Sequence, residues 1–200
     1  MYLSRVFLQP RKLNNAYEWH RALWSLFPNI ERGSVSPFLY YVESLNLLSG
    51  AQLLLQSSIE PIAYSSQAKV LVTKPYPVHF EVGQRLAFQL LANPTKCITD
   101  THHKVNKKNH GKCRVPLIKE EEQRHWLQRK FAEAAHMGEL TIRNHAPLYF
   151  HKGNRAGKVI PVLFEGTLSI CNDERMAELS AKGIGPAKAF GCGMLLVRRA

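Results

Sequence analysis

The sequence predicts an α+β protein built as two tandem ferredoxin-like domains, each with the element order βαββαβ. Two observations carry that reading. Short runs of alternating apolar residues are interrupted by amphipathic stretches of helical spacing, and the order of runs and stretches is the same in both halves of the chain. A chain of 200 residues with 45% apolar content has the material for two small cores.

In the first half, "YLSRVFLQ" alternates as a strand does. Asn14 or Asn15 then offers a side-chain oxygen to cap a helix that runs to about Phe27, where Pro28 stops it. "FLYYVES" and "AQLLLQSS" read as two strands about the turn from Asn46 to Gly50, and a short, weakly helical stretch follows Pro61. "KVLVTKPYPVHFEVGQRLAFQLLANP" reads as further strand with a turn at Gly83. Pro75 and Pro77 lack an amide hydrogen and confine part of it to a sheet edge.

The second half runs in the same order. "KCRVPLI" reads as a strand, and "KEEEQRHWLQRKFAEAAHM" as a helix with acids in its first turn, where the helix dipole favours them, and Gly138 just beyond its end. "ELTIRNHAPLYFHK" and "KVIPVLFEGTLSI" read as strands about the turn "GNRAG"; Asp173 caps a helix through about Lys182, and "GMLLVRR" is the last strand. The predicted division is a first domain over residues 1–95, a basic connection over 96–111 and a second domain over 112–200. It rests on element order, because the halves share no clear residue-level repeat.

Charge indicates the partner. Lys and Arg number 27 against 15 Asp and Glu, a formal +12, which in a protein of this size points to a polyanion, most often nucleic acid. The segment "THHKVNKKNHGKCR" concentrates Lys104, Lys107, Lys108, Lys112 and Arg114 and reads as a basic loop. Cys97, His102, His103, His110 and Cys113 lack the paired spacing of zinc sites, so no metal is expected there, and the four cysteines form neither a CxxC pair nor a disulfide framework. No apolar run approaches the length of a membrane span, and "MYLSRVFLQP" lacks the apolar centre of a signal peptide. A cytoplasmic location with no membrane partner is expected.

A four-stranded sheet with helices on one side is also the architecture of RNA-recognition motifs. No strand here resembles their aromatic "GFGFV" signature, so RNA is expected to be held by basic loops that read phosphates and groove shape. Arg155 and Lys158, both on the "GNRAGK" turn, join the basic loop as candidates for gripping a stem. The first helix offers one candidate histidine among the nine of the chain. At about 100° per residue, Ala16, Trp19, Ala22, Leu23, Leu26 and Phe27 share one face, with Tyr17, His20 and Trp24 along its edge. An edge imidazole reaches solvent and substrate, and its ordinary pKa of about 6.5 suits proton transfer. Near the end of the chain, "GIGPAKAFGCGML" gathers Gly183, Gly185, Gly191 and Gly193 around Lys188. A helix C-cap explains Gly183 but not the other three, and no Gly-Lys-Ser/Thr follows to make a nucleotide-binding loop.

Taken together, "MYLSRVF", "YEWHRALWSLFP", "LANPTK", "KCRVPLIKEEEQRHWLQRK", "VLFEGTLSI" and above all "GIGPAKAFGCGML" resemble the CasE family, the CRISPR precursor-RNA endoribonucleases of the type I-E Cascade complex. The resemblance spans nearly the whole chain in the right order. It implies a tandem ferredoxin-like fold and cleavage of CRISPR precursor RNA at the base of the repeat stem-loop, without metal or other cofactor. Attack by the 2′-hydroxyl would leave a 2′,3′-cyclic phosphate and a 5′-hydroxyl, and the mature crRNA hairpin would stay bound beside the other Cascade subunits. The family's Tyr-x-x-His pair falls on Tyr17 and His20: His20 as general acid or base, Tyr17 orienting the phosphate or the nucleophile. The glycine-rich loop is implied to lie against the first domain near the RNA backbone, its glycines letting backbone amides approach phosphates and Lys188 adding charge. Which Lys or Arg neutralises the phosphorane stays open. The competing readings are a non-catalytic structured-RNA-binding subunit of a ribonucleoprotein complex and an unrelated basic adaptor.

Overall fold

The computed structural model describes residues 1–10, 15–31, 35–99, 112–152 and 155–200, the side chains of Lys152 and Arg155 excepted. Asn14 and the basic-loop residues Lys104, Lys107 and Lys108 lie outside the described residues. In chain order the first elements are β1 (Tyr2–Leu8), α1 (Ala16–Trp24), β2 (Phe38–Asn46), β3 (Gly50–Ser57), β4 (Ala68–Pro75), β5 (Arg85–Ala92) and β6 (Thr95–Thr99). They are followed by β7 (Lys112–Pro116), α2 (Glu120–Phe131), β8 (Ala135–Asn144), β9 (Leu148–Lys152), β10 (Arg155–Val159), β11 (Val162–Ile170), α3 (Asp173–Lys182) and β12 (Leu195–Arg199).

Two four-stranded antiparallel sheets form, in the orders β2-β3-β1-β4 and β12-β5-β11-β8. Counted along its own strands, each sheet has the order 2-3-1-4 that a βαββαβ chain gives, so the predicted tandem fold is present. Strand alternation builds both cores. Val6 and Leu8 of β1 point inward with Trp19, Leu23, Leu26, Phe27, Leu53 and Leu55, while Leu86, Phe88 and Leu90 of β5 meet Trp126, Leu127, Phe131, Phe164 and Met176.

Several expectations need correction. The strand Arg85–Ala92, placed in the first domain by its position in the chain, is a central strand of the second sheet and pairs with β11 and β12. The hydrogen-bonded units therefore part between Pro75 and Arg85, not at residue 95. "KCRVPLI" is not the first strand of that sheet: Lys112–Pro116 pairs only with β6, in a two-stranded ribbon. The α2 helix ends at Phe131, and Ala135 to Met137 already belong to β8. Gly138 is no helix cap; it sits within β8, where a Cβ would lie 2.4 Å from the Thr167 hydroxyl of β11. "ELTIRNHAPLYFHK" divides into β8 and β9, and β9 with β10 makes a separate hairpin between two strands of the second sheet. The α1 helix stops at Trp24, three residues short of the predicted Phe27. Asn172, one residue before the expected Asp173, caps α3 by accepting from the Arg175 amide at 2.9 Å. The weakly helical stretch after Pro61 is not a helix; residues 58–67 run irregularly between β3 and β4.

Candidate active site

Asn15 is the residue that caps α1. Its side-chain oxygen accepts from the Tyr17 amide at 3.1 Å, as an N-cap requires. The same carboxamide also accepts from the His151 amide at 3.2 Å and donates to the His151 carbonyl at 3.0 Å. It thus joins the β9 edge as a short strand would, across 136 positions of sequence. One side chain therefore starts the helix of Tyr17 and His20 and ties it to the hairpin of Arg155 and Lys158.

Burial of Ala16, Trp19, Ala22 and Leu23 fixes the roll of α1, leaving Tyr17, His20 and Trp24 partly exposed, as their edge positions predict. The His20 ring lies 5.3 Å from the Phe38 ring and meets Trp24 edge-on at 6.1 Å. Among the described residues no hydrogen bond occupies its nitrogens. Burial against these rings lowers the imidazole pKa below its ordinary value, so His20 is neutral at pH 7. Tyr17 and His20 open into a cleft of about 620 Å3, shared with Arg21, Ser36, Phe38, Ser66, Gln67 and Lys188. Ser66 and Gln67 belong to the irregular segment that stands where a second helix was expected. That segment is moored to the end of α1: Ser25 and Ser65 hydroxyls lie 2.6 Å apart, and the Ile62 amide donates to the Leu26 carbonyl at 3.0 Å.

Lys188 reaches this cleft from the far end of the chain. Gly183, Gly185, Gly191 and Gly193 all hold positive φ, between 73° and 93°, a region that disfavours any side chain. The expectation that they bring free amides to phosphate is corrected for three of them. The amides of Gly183, Gly191 and Gly193 already donate to the carbonyls of Leu179, Lys188 and Leu91. Tight packing accounts for the glycines instead: a Cβ on Gly183 would lie 2.8 Å from Leu39 of β2, and one on Gly185 would lie 2.9 Å from the Trp126 ring. Between Gly185 and Gly191, Lys188–Phe190 forms a single 3-10 turn, held to the first domain by the buried Tyr40 hydroxyl donating to the Ala189 carbonyl at 2.8 Å. The Phe190 ring packs on Phe150 of β9 at 4.5 Å. Lys188 donates to the Lys182 carbonyl at 2.5 Å, and burial, then the neighbouring Lys130 charge, lowers its pKa.

The remaining predicted residues divide by location. Lys158 is exposed on β10 opposite the exposed Tyr149, and Arg155 starts the same strand with its side chain outside the described residues. Lys112 and Arg114 are exposed on β7, and Arg114 faces the other side of the glycine-rich loop. The structure thus brings Lys188 to Tyr17 and His20, ties the hairpin to the same helix through Asn15, and sets Lys112 and Arg114 apart. Sequence reading missed Asn15 as a clamp, for which its cap position was the available signal, and Lys130, which looks like any charged residue on a helix. Among the described residues no helix is long and apolar enough to cross a membrane.

Residues 1–199 match the sequence family described as CRISPR associated protein. The chain is 41% identical to the CRISPR system Cascade subunit CasE of Escherichia coli (strain K12), over 98% of each sequence. The crystal structure of the CRISPR-associated protein Cas6e from Escherichia coli K-12 superposes with a TM-score of 0.86 at 40% identity, covering 100% of both chains. The CRISPR-associated endoribonuclease Cse3 of Thermus thermophilus is 32% identical over 98% of this chain and 99% of its own. A structure of CRISPR endoribonuclease Cse3 bound to 19 nt RNA superposes with a TM-score of 0.77 at 30% identity, covering 99% and 100%. The match over nearly the full length and the shared fold agree: this chain belongs to the CRISPR-associated protein family that contains CasE and Cse3.

Proposed function

We propose that this protein is an endoribonuclease that cuts CRISPR precursor RNA at the base of the repeat stem-loop without a metal ion, and that it stays on the mature crRNA hairpin as a Cascade subunit in the cytoplasm, where that RNA is made. The observation that carries the reading is the meeting of Tyr17, His20 and Lys188 in one open cleft, from opposite ends of the chain. Cleavage of RNA by its own 2′-hydroxyl needs a base for that hydroxyl, a cation for the crowded phosphorane, and a proton for the departing 5′-oxygen. His20, neutral at pH 7 because it is half-buried against Phe38 and Trp24, accepts the 2′-hydroxyl proton and, as the imidazolium so formed, gives it to the departing 5′-oxygen. Of the two cations lining the cleft, Arg21 is engaged by Glu18 at 2.9 Å. Lys188 has no carboxylate partner among the described residues, so it is the one that meets the phosphorane. Tyr17, one helical turn before His20, orients the phosphate.

Arg155, Lys158, Lys112 and Arg114, with Lys104, Lys107 and Lys108, are the proposed grip on the rest of the RNA. The test is the chemistry of the ends. Incubated with a repeat hairpin in EDTA, the protein should leave a 2′,3′-cyclic phosphate on the upstream fragment and a 5′-hydroxyl on the downstream one. A 3′-hydroxyl with a 5′-phosphate, or activity lost in EDTA and restored by Mg²⁺, contradicts the mechanism. Tight binding with no cleavage would make this chain a holding subunit only.

A further inference from the structure

A second cleft, of about 700 Å3, lies across the glycine-rich loop from His20, and Lys188 borders both. Arg114 of β7, Lys130 in the last turn of α2 and Lys188 of the loop deliver three cations to it. Among the described residues none of the three has a carboxylate within ion-pair distance. Acids are at hand on the same helix, yet they neutralise other residues: Glu122 takes Lys96 at 2.7 Å, and Glu120 takes Arg124 at 3.2 Å. The cleft is also built rather than incidental. Trp126 is buried and stacked on Phe164 at 6.2 Å, Lys130 rides over its ring at 5.7 Å, and Gly185 presses on the same ring. Trp126 therefore sets the distance between the loop of Lys188 and the helix of Lys130. Burial, and then the Lys130 charge, lower the pKa of Lys188, as expected where two ammonium groups border one partly buried space. Like charges held together without an acid cost free energy that an arriving anion recovers.

Position identifies the anion. The hairpin of Lys158 touches the start of α1 through Asn15, His20 follows one and a half turns along that helix, Lys188 faces it, and Lys130 lies beyond. An RNA strand held by the hairpin at its stem and passing His20 runs next into the second cleft. We propose that the Arg114–Lys130–Lys188 cleft binds a backbone phosphate of the single-stranded RNA that continues past the scissile phosphate, on the side away from the stem. This rests on the endoribonuclease reading above.

The experiment compares two RNAs in filter binding, both carrying 2′-deoxyribose at the cut so that neither is cleaved. One is the stem-loop ending at the scissile position, and the other carries several further nucleotides of single strand. Wild-type protein should bind the extended RNA more tightly. Lys130→Ala should weaken extended-RNA binding about three- to tenfold and reduce its salt slope by about 0.7, the value of one single-strand phosphate contact, while leaving the short hairpin unchanged. Lys130→Arg should restore both. Equal weakening on the two RNAs, or no change on either, overturns the inference while leaving the nuclease reading in place. Failure of the wild-type protein to bind the short hairpin overturns the nuclease reading, and the inference with it.

Discussion

The two halves of the molecule share one sheet order and differ in what is packed beneath it. The second sheet keeps both helices, α2 and α3, and its inner face is closed by Trp126, Leu127, Phe131 and Met176. Among the described residues the first sheet keeps one α-helix, α1; in place of a second, residues 58–67 run as irregular chain, and Ser66 and Gln67 line an open cleft beside His20. A packed helix would fill that space. The complete half therefore provides support and charge, while the half with one helix provides room for a substrate. The loop after α3 then brings Lys188 to that cleft, so neither half holds the whole of the proposed site.

That division of labour can be broken by mutation, starting with the residue that crosses it. Lys188→Ala should lower single-turnover cleavage by about 10²- to 10³-fold, the range for removing one group that stabilises a transition-state charge. Hairpin affinity should fall far less. Equal losses in rate and affinity would show that Lys188 belongs to the grip and not to the chemistry. Asn15 tests the tie between the halves. Asn15→Ala removes the cap of α1, at about 1 kcal/mol of stability, and releases the helix from His151, so cleavage should fall about tenfold with affinity kept. Asn15→Asp retains the cap acceptor and loses the donor to the His151 carbonyl. It should recover thermal stability but not the rate, and a wild-type rate in Asn15→Asp would show that the link to the hairpin is dispensable. The smallest expected effect is in the second half alone. Arg155→Ala with Lys158→Ala should weaken hairpin binding several-fold and flatten its salt dependence by about one to two units of slope, with cleavage at saturating protein unchanged. An unaltered salt slope would mean that the hairpin faces away from the RNA.

Much of this was legible in the sequence where the determinants are local. The buried face of α1, its cap at Asn14 or Asn15, the cap at Gly183 and the exposed edge of His20 all follow from spacing and residue type within one or two turns. What pairs with what was not local. Arg85–Ala92 alternates as well for either sheet, and only its ladders to β11 and β12 assign it to the second. Ala135 to Met137 suit a helix by propensity, but pairing with Leu168, Ser169 and Ile170 makes them strand. Gly138 is the trace of that pairing in the sequence, since the Thr167 hydroxyl of the neighbouring strand stands 2.4 Å from where its Cβ would lie. The glycine-rich loop packs on the first domain, as the resemblance implies, but the reason for its glycines is not legible, because nothing in its own residues shows that Leu39 and Trp126 press on it. Lys130 looked like an ordinary charged helix position until the fold set it across from Lys188.

The central claim is that His20 moves a proton in the transition state and does not anchor the RNA. Its most direct test is the single-turnover cleavage rate of His20→Ala measured together with its hairpin dissociation constant. General acid or base catalysis contributes about 10²- to 10⁴-fold, so the rate should fall by at least that order while the dissociation constant stays within a few-fold of wild type. Cleavage at a near wild-type rate, or a loss of binding that matches the loss of rate, contradicts the account.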